Sequence, residues 1–181
     1  MIKIKALTGV LVLTGAAFLS QGAMAADISN PDTPLDLSSG ADFVGHLITG
    51  NHQGDTFADK YTFTLTGAST ISADVYSHTG NAKNGLDISA FGLYNAGGLL
   101  LSGNQLSTGA TDQWQLDSAI LGAGSYYLLV SGSAVSKSAG SYTSGVTVTA
   151  VPEPETYGML LGGLGLIGAV AARRRKQSGN A

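Results

Sequence analysis

Residues 61–76 read Tyr61-Thr62-Phe63-Thr64-Leu65-Thr66-Gly67-Ala68-Ser69-Thr70-Ile71-Ser72-Ala73-Asp74-Val75-Tyr76. Side chains alternate across an extended strand with a period of two, so Tyr61, Phe63 and Leu65 share one face and the three threonines the other. Beyond the turn signal Thr66-Gly67-Ala68-Ser69, Ile71, Ala73 and Val75 again point one way, with Ser72, Asp74 and Tyr76 opposite. Two such runs around a short turn predict a β-hairpin with one buried face.

The same pattern continues outward. Leu86, Ile88 and Ala90 alternate, then Phe91 and Leu93 take over out of phase, which a bulge near Ala90 reconciles. Asn95-Ala96-Gly97-Gly98 turns the chain into residues 99–101, and Trp114 and Leu116 mark another short strand. Leu121-Gly122-Ala123-Gly124 leads into residues 125–131, an apolar run expected to be buried on both faces. Tyr142, Val146 and Val148 form a last strand, and residues 43–48 an early one. No helical period occurs between residues 26 and 151. The expected fold of residues 26–150 is all-β, an antiparallel β-sandwich or jelly roll of about seven to eight strands.

Two terminal segments stand apart from this body. Lys3 and Lys5 precede an apolar run over residues 6–19, followed by Ala23-Met24-Ala25. A basic start, a short apolar helix and small residues at the −3 and −1 positions make a secretory signal peptide over residues 1–25, cut by signal peptidase between Ala25 and Ala26. At the other end, the apolar residues 157–172 are closed by Arg173-Arg174-Arg175-Lys176, with residues 177–181 as a tail. Cations flank the cytoplasmic side of a span, so this basic cluster predicts a short, glycine-rich transmembrane helix with the body outside the cytoplasm. Its sixteen residues cover about 24 Å, less than the ~30 Å hydrocarbon core, which suits a temporary anchor. Gly163-Leu164-Gly165-Leu166-Ile167-Gly168 fits a dinucleotide-binding fingerprint, but no acidic residue follows it and no βαβ unit can surround it.

Composition narrows the function. The chain has 181 residues and no cysteine, which removes disulfides, thiol nucleophiles and thiolate metal sites. Residues 26–151 hold ten aspartates, no glutamate, three lysines and no arginine, a formal charge of −7 against −3 for the whole chain. Such a body is a poor nucleic-acid binder, because phosphate contacts need Lys and Arg.

Just before the anchor stands Val151-Pro152-Glu153-Pro154-Glu155. The two prolines hold Glu153 in extended, exposed backbone, the form a processing enzyme's cleft accepts. Pro152-Glu153-Pro154, a Gly/Leu helix and a terminal arginine cluster behind a signal peptide resemble the PEP-CTERM sorting signal, over residues 151–176. This tail is also labelled an ice-binding protein C-terminal domain, although it carries sorting and not ice chemistry. The resemblance implies a Gram-negative bacterium that makes exopolysaccharide, and removal of the tail by an exosortase with export to the surface or matrix. A second resemblance lies in the body. Phe57-Ala58-Asp59-Lys60-Tyr61 is similar to the F-x-D-x-F family of PEP-CTERM proteins, with Tyr61 in the last aromatic place. Ala123-Gly124-Ser125-Tyr126-Tyr127 and Val130-Ser131-Gly132 fit that family's final strands. The order of elements also resembles the bacterial pre-peptidase C-terminal domain, a jelly-roll module.

No catalytic constellation emerges. His46, His52 and His78 lack zinc-binding spacing, there is no G-x-S-x-G elbow, and the expectation is a non-enzyme with no required cofactor. Calcium is the one metal with a candidate ligand set: Asp55, Asp59, Asp74 and Asp87, near Gly- and Asn-containing loops, supply the oxygens it prefers, although no EF-hand pattern is present. Thr62-x-Thr64-x-Thr66 and Thr147-x-Thr149 have the spacing of an ice-binding face, which needs several such strands in register. The leading expectation is a structural or adhesive role in a polysaccharide matrix, with Tyr76, Tyr94 and Trp114 as candidate sugar-stacking rings and core packing the better account of Trp114. The alternative is a small calcium- or ligand-binding module.

Overall fold

The computed structural model describes residues 25–152 and 154–178. The signal segment over residues 1–24, Ala23 included, and Glu153 of the sorting motif lie outside the described residues.

Ten strands form two five-stranded sheets: β1 (Thr33–Pro34), β2 (Ala41–Ile48), β3 (Thr56–Leu65), β4 (Ser69–His78), β5 (Leu86–Asn95), β6 (Gly98–Ser102), β7 (Asn104–Ser107), β8 (Thr111–Asp117), β9 (Gly124–Ala134) and β10 (Gly140–Ala150). The first sheet runs β1-β3-β9-β5-β6 and the second β2-β10-β4-β8-β7. Every strand pair is antiparallel except β1 with β3. The inner rows are those the alternation predicts. Phe57, Tyr61, Phe63 and Leu65 of β3 and Ile71, Ala73 and Val75 of β4 are buried in one core with Leu128, Val130, Leu93 and Val146. The result is a β-sandwich.

The expected hairpin is corrected. β3 pairs with β9 in one sheet and β4 pairs with β10 and β8 in the other, so residues 66–68 arch between the sheets. Alternation specifies which face is buried and not which strand lies alongside, and two apolar faces can meet across a core as well as within one sheet. β9 is corrected as well. Its inner residues Leu128 and Val130 are buried, while Tyr127 and Leu129 on the outer face stay half-buried. The bulge near Ala90 is present as a register shift between Ile88 and Ala90. It is pinned from the opposite sheet. The Ile88 N–H donates to Asp112 Oδ2 at 3.3 Å, and Trp114 Nε1 donates to the Ile88 carbonyl at 3.1 Å.

Residues 26–35 lie along the outer edge of β3 as a strap. Thr56 N–H donates to the Ala26 carbonyl and Ile28 N–H to that of Thr56, both at 2.9 Å; Ala58 N–H donates to Ser29 Oγ, and Leu35 N–H to the Thr62 carbonyl. From Thr56 to Thr62 this strap occupies the edge of β3 that another chain would pair with.

After β10, one helix, α1 (Pro154–Ser178), contains the expected apolar run and the basic cluster, and the described side chains from residue 155 to 170 are exposed. The expectation of a transmembrane helix is corrected: no helix among the described residues is long and apolar enough to cross a membrane. Gly158, Gly162, Gly163, Gly165 and Gly168 add length without apolar surface, and arginines follow directly.

Candidate functional site

The F-x-D-x-F-like residues form the centre of a polar knot between the sheets. Phe57, Asp59 and Tyr61 all point inward from β3, so a carboxylate sits in a row of core positions, fully buried. A buried carboxylate needs partners for its lone pairs. Asn30 N–H donates to Oδ1 at 2.6 Å, His46 Nδ1 donates to Oδ2 at 2.7 Å, and the Tyr142 hydroxyl donates to the same Oδ2. The Tyr61 and Tyr142 hydroxyls lie 2.7 Å apart; because Tyr142 gives its proton to Asp59, Tyr61 donates to Tyr142. Phe57 stacks on Tyr142 with centroids 5.6 Å apart, and His46 meets both rings edge-on. One carboxylate therefore ties the strap, β2 and β10 to β3.

Burial pushes the Tyr61 hydroxyl up to about 12, reinforced by the nearby Asp59 charge. Tyr142 is raised further, by burial first and then by its bonds to Asp59 and Tyr61. Both stay protonated, as donors must. Among the described residues no serine or threonine hydroxyl bonds to His46.

The knot was half legible. Phe57, Asp59 and Tyr61 share one motif, whereas no local pattern links His46, a lone strand histidine, or Tyr142 to them. Tyr142 lies 83 residues from Asp59 and on the other sheet, so only the face-to-face packing of the two sheets brings the pair together.

The candidate calcium ligands are not brought together. Asp59 is spent in the knot; Asp55 lies at the start of β3; Asp74 is exposed on the outer face of one sheet and Asp87 on the outer face of the other. Among the described residues no group of three or more His, Cys, Asp or Glu could hold a metal ion. Asp55 accepts from Ala26 N at 2.8 Å and from His52 Nδ1 at 3.0 Å, and these bonds, Ala26 first, hold its carboxyl below the usual carboxylate range. The two threonine rows lie on opposite sheets, Thr62 and Thr64 on β3, Thr147 and Thr149 on β10, so they make no common face.

Two surfaces remain. Strand register sets Phe43, Gly145, Asp74 and Gln115 in one row across the outer face of the second sheet, with Gly45, Thr143, Tyr76 and Gln113 in the next. Phe43 is 82% and Tyr76 43% exposed, and Tyr76 stacks on His78 at 6.4 Å. Of the other candidate sugar-stacking rings, Tyr94 lies flat on Tyr127 at 5.1 Å and Trp114 packs against the core. The second surface is an open recess of about 1000 Å³ beside the uncovered end of β3, lined among others by Leu35, Phe63, Tyr126, Tyr127 and Val148. Lys60 stands at its rim, 2.7 Å from Asp32 and over the Tyr127 ring.

In the tail, Pro152 is exposed, Pro154 opens α1, and Arg173, Arg174, Arg175 and Lys176 lie in its last turns. No curated protein matches the chain. Among solved structures it is similar to the pre-peptidase C-terminal domain of a collagenase from Bacillus anthracis, at 19% identity and a TM-score of 0.36 over 70% of this chain and 95% of that one. It is also similar to PliG from Aeromonas hydrophila, a periplasmic inhibitor of g-type lysozyme, at 18% identity and a TM-score of 0.38 over 68% and 100%. Residues 150–176 match the PEP-CTERM protein-sorting motif, so a β-sandwich here precedes a tail that supports exosortase-dependent export along a cell-surface sorting route.

Proposed function

We propose that this protein is an exported, non-enzymatic component of the cell surface or exopolysaccharide matrix of a Gram-negative bacterium, a jelly-roll module with a structural or adhesive role. The observation that carries this reading is the sorting motif over residues 150–176. Signal peptidase removes residues 1–25, and an exosortase removes the tail near Pro152-Glu153-Pro154. The matrix contact is the outer face of the second sheet. Phe43 and Tyr76 offer ring faces to sugar C–H groups, and Asp74, Gln113, Gln115 and Thr143 offer hydrogen-bonding groups in the adjoining positions. Gly145 lets the Phe43 ring and the Asp74 carboxylate lie close over the β10 backbone.

Intact mass of the extracellular species tests the sorting; a membrane-retained chain that keeps Arg173, Arg174 and Arg175 sinks it. Pull-down on the organism's own polysaccharide tests the contact. The double variant Phe43→Ala/Tyr76→Ala should retain about tenfold less protein while melting as the parent does, because both rings are exposed. A second reading, a small ligand-binding module, is favoured by the large recess at β3, which contains none of the candidate calcium ligands. It predicts unchanged retention in that variant and a melting temperature that rises with added ligand.

A further inference from the structure

The strap begins where the signal peptide is expected to end. Ala26 supplies its first hydrogen bonds: its nitrogen lies 2.8 Å from Asp55 Oδ1, its carbonyl accepts from Thr56 N–H, and Asp27 forms a parallel bridge with Thr56. His52 occupies the other oxygen of Asp55, so the two donors do not compete. In the unprocessed chain the Ala26 nitrogen is a neutral amide.

We propose that Asp55 is the receptor for the amino terminus created by processing, so that cutting at Ala25–Ala26 itself locks the strap onto β3. The proposal rests on the signal-peptide reading. In hydrolysis water adds across the Ala25–Ala26 bond; the carboxylate leaves with Ala25, and the amine, having taken up a proton, stays on Ala26. A hydrogen bond from a neutral amide to a carboxylate thereby becomes an ion pair between an ammonium and a carboxylate, in a body that is otherwise strongly acidic. The position is specific to one cut. Cleavage one residue to either side shifts the ammonium by about 3.3 Å along the strand, out of contact with Oδ1. Since the strap closes the edge of β3 and delivers Asn30 to Asp59, anchoring its first residue limits fraying toward the knot.

The test compares residues 26–181 bearing a free amine with the same chain N-acetylated, each in the parent and in Asp55→Asn. The free amine should melt about 1–4 °C higher than the acetylated chain in the parent, and the difference should vanish in Asp55→Asn. Hydrogen exchange at Thr56 and Ile28 should slow in the free-amine parent alone. Equal melting and exchange of the two parent chains, or a difference that survives in Asp55→Asn, overturns the proposal. The intact mass of the exported protein keeps the two readings apart. A first residue other than Ala26 removes the signal-cleavage reading and the proposal with it, whereas Ala26 first together with equal melting removes the proposal alone.

Discussion

Asp59 shows how one carboxylate can organise a core. Its three donors come from the strap, β2 and β10, so removing it orphans a backbone N–H, an imidazole and a phenol at once. Asp59→Ala should therefore cost about 3–5 kcal/mol in urea denaturation, the range for breaking one side of a buried charged network. Tyr61→Phe, which restores the literal F-x-D-x-F pattern, removes a single terminal donor and should cost only about 1 kcal/mol. Equal losses in the two variants would show that the carboxylate does not organise the network. At this scale the sequence was informative where signals are local. Phe57, Asp59 and Tyr61 share a face because of backbone period alone. The same rule separates two of the candidate calcium ligands: alternation turns Asp74 and Asp87 outward, on different sheets.

Between elements, the pairing of β3 with β9 depends on a single absent side chain. Phe57 lies opposite Gly132, and a methyl group there would meet the Asp87 carbonyl at 2.3 Å and the Phe57 ring at 2.6 Å. One of these contacts is backbone, so Gly132→Ala should destabilise the fold by about 2 kcal/mol or more, read as a lower urea midpoint with an unchanged slope. A neutral result would mean that β9 can shift without disturbing Phe57. Strand existence was largely legible, since eight runs with apolar alternation are strands. β7 was not, because Asn104, Gln105 and Leu106 at a sheet edge are exposed and show no buried period. Nor was pairing, which is settled between faces far apart in the chain; the alternation on either side of residues 66–68 fits a hairpin and an arch equally.

For the whole molecule, stability should fall on the alkaline side. Tyr61 keeps its proton up to about 12 in the fold and Tyr142 beyond that, whereas unfolded tyrosines ionise near 10. Above pH 10 the native state binds more protons than the unfolded one, so stability is complete below about pH 10 and declines through pH 12. Absorbance titration should find two of the seven tyrosines silent until the chain unfolds. Two tyrosines ionising in step with the exposed ones would contradict the buried pair.

The strap and the exit of β10 also give the molecule poles. Ala26 sits beside Thr56, at the first residue of β3, while Val151 N–H bonds to the Ala68 carbonyl beyond its last residue. Ten residues of strand separate these points, about 33 Å. Entry and exit therefore lie at opposite ends of the long axis. Held by its tail before processing, the body has the Asp55 pole at the far end, and Phe43 and Tyr76 face sideways along its flank.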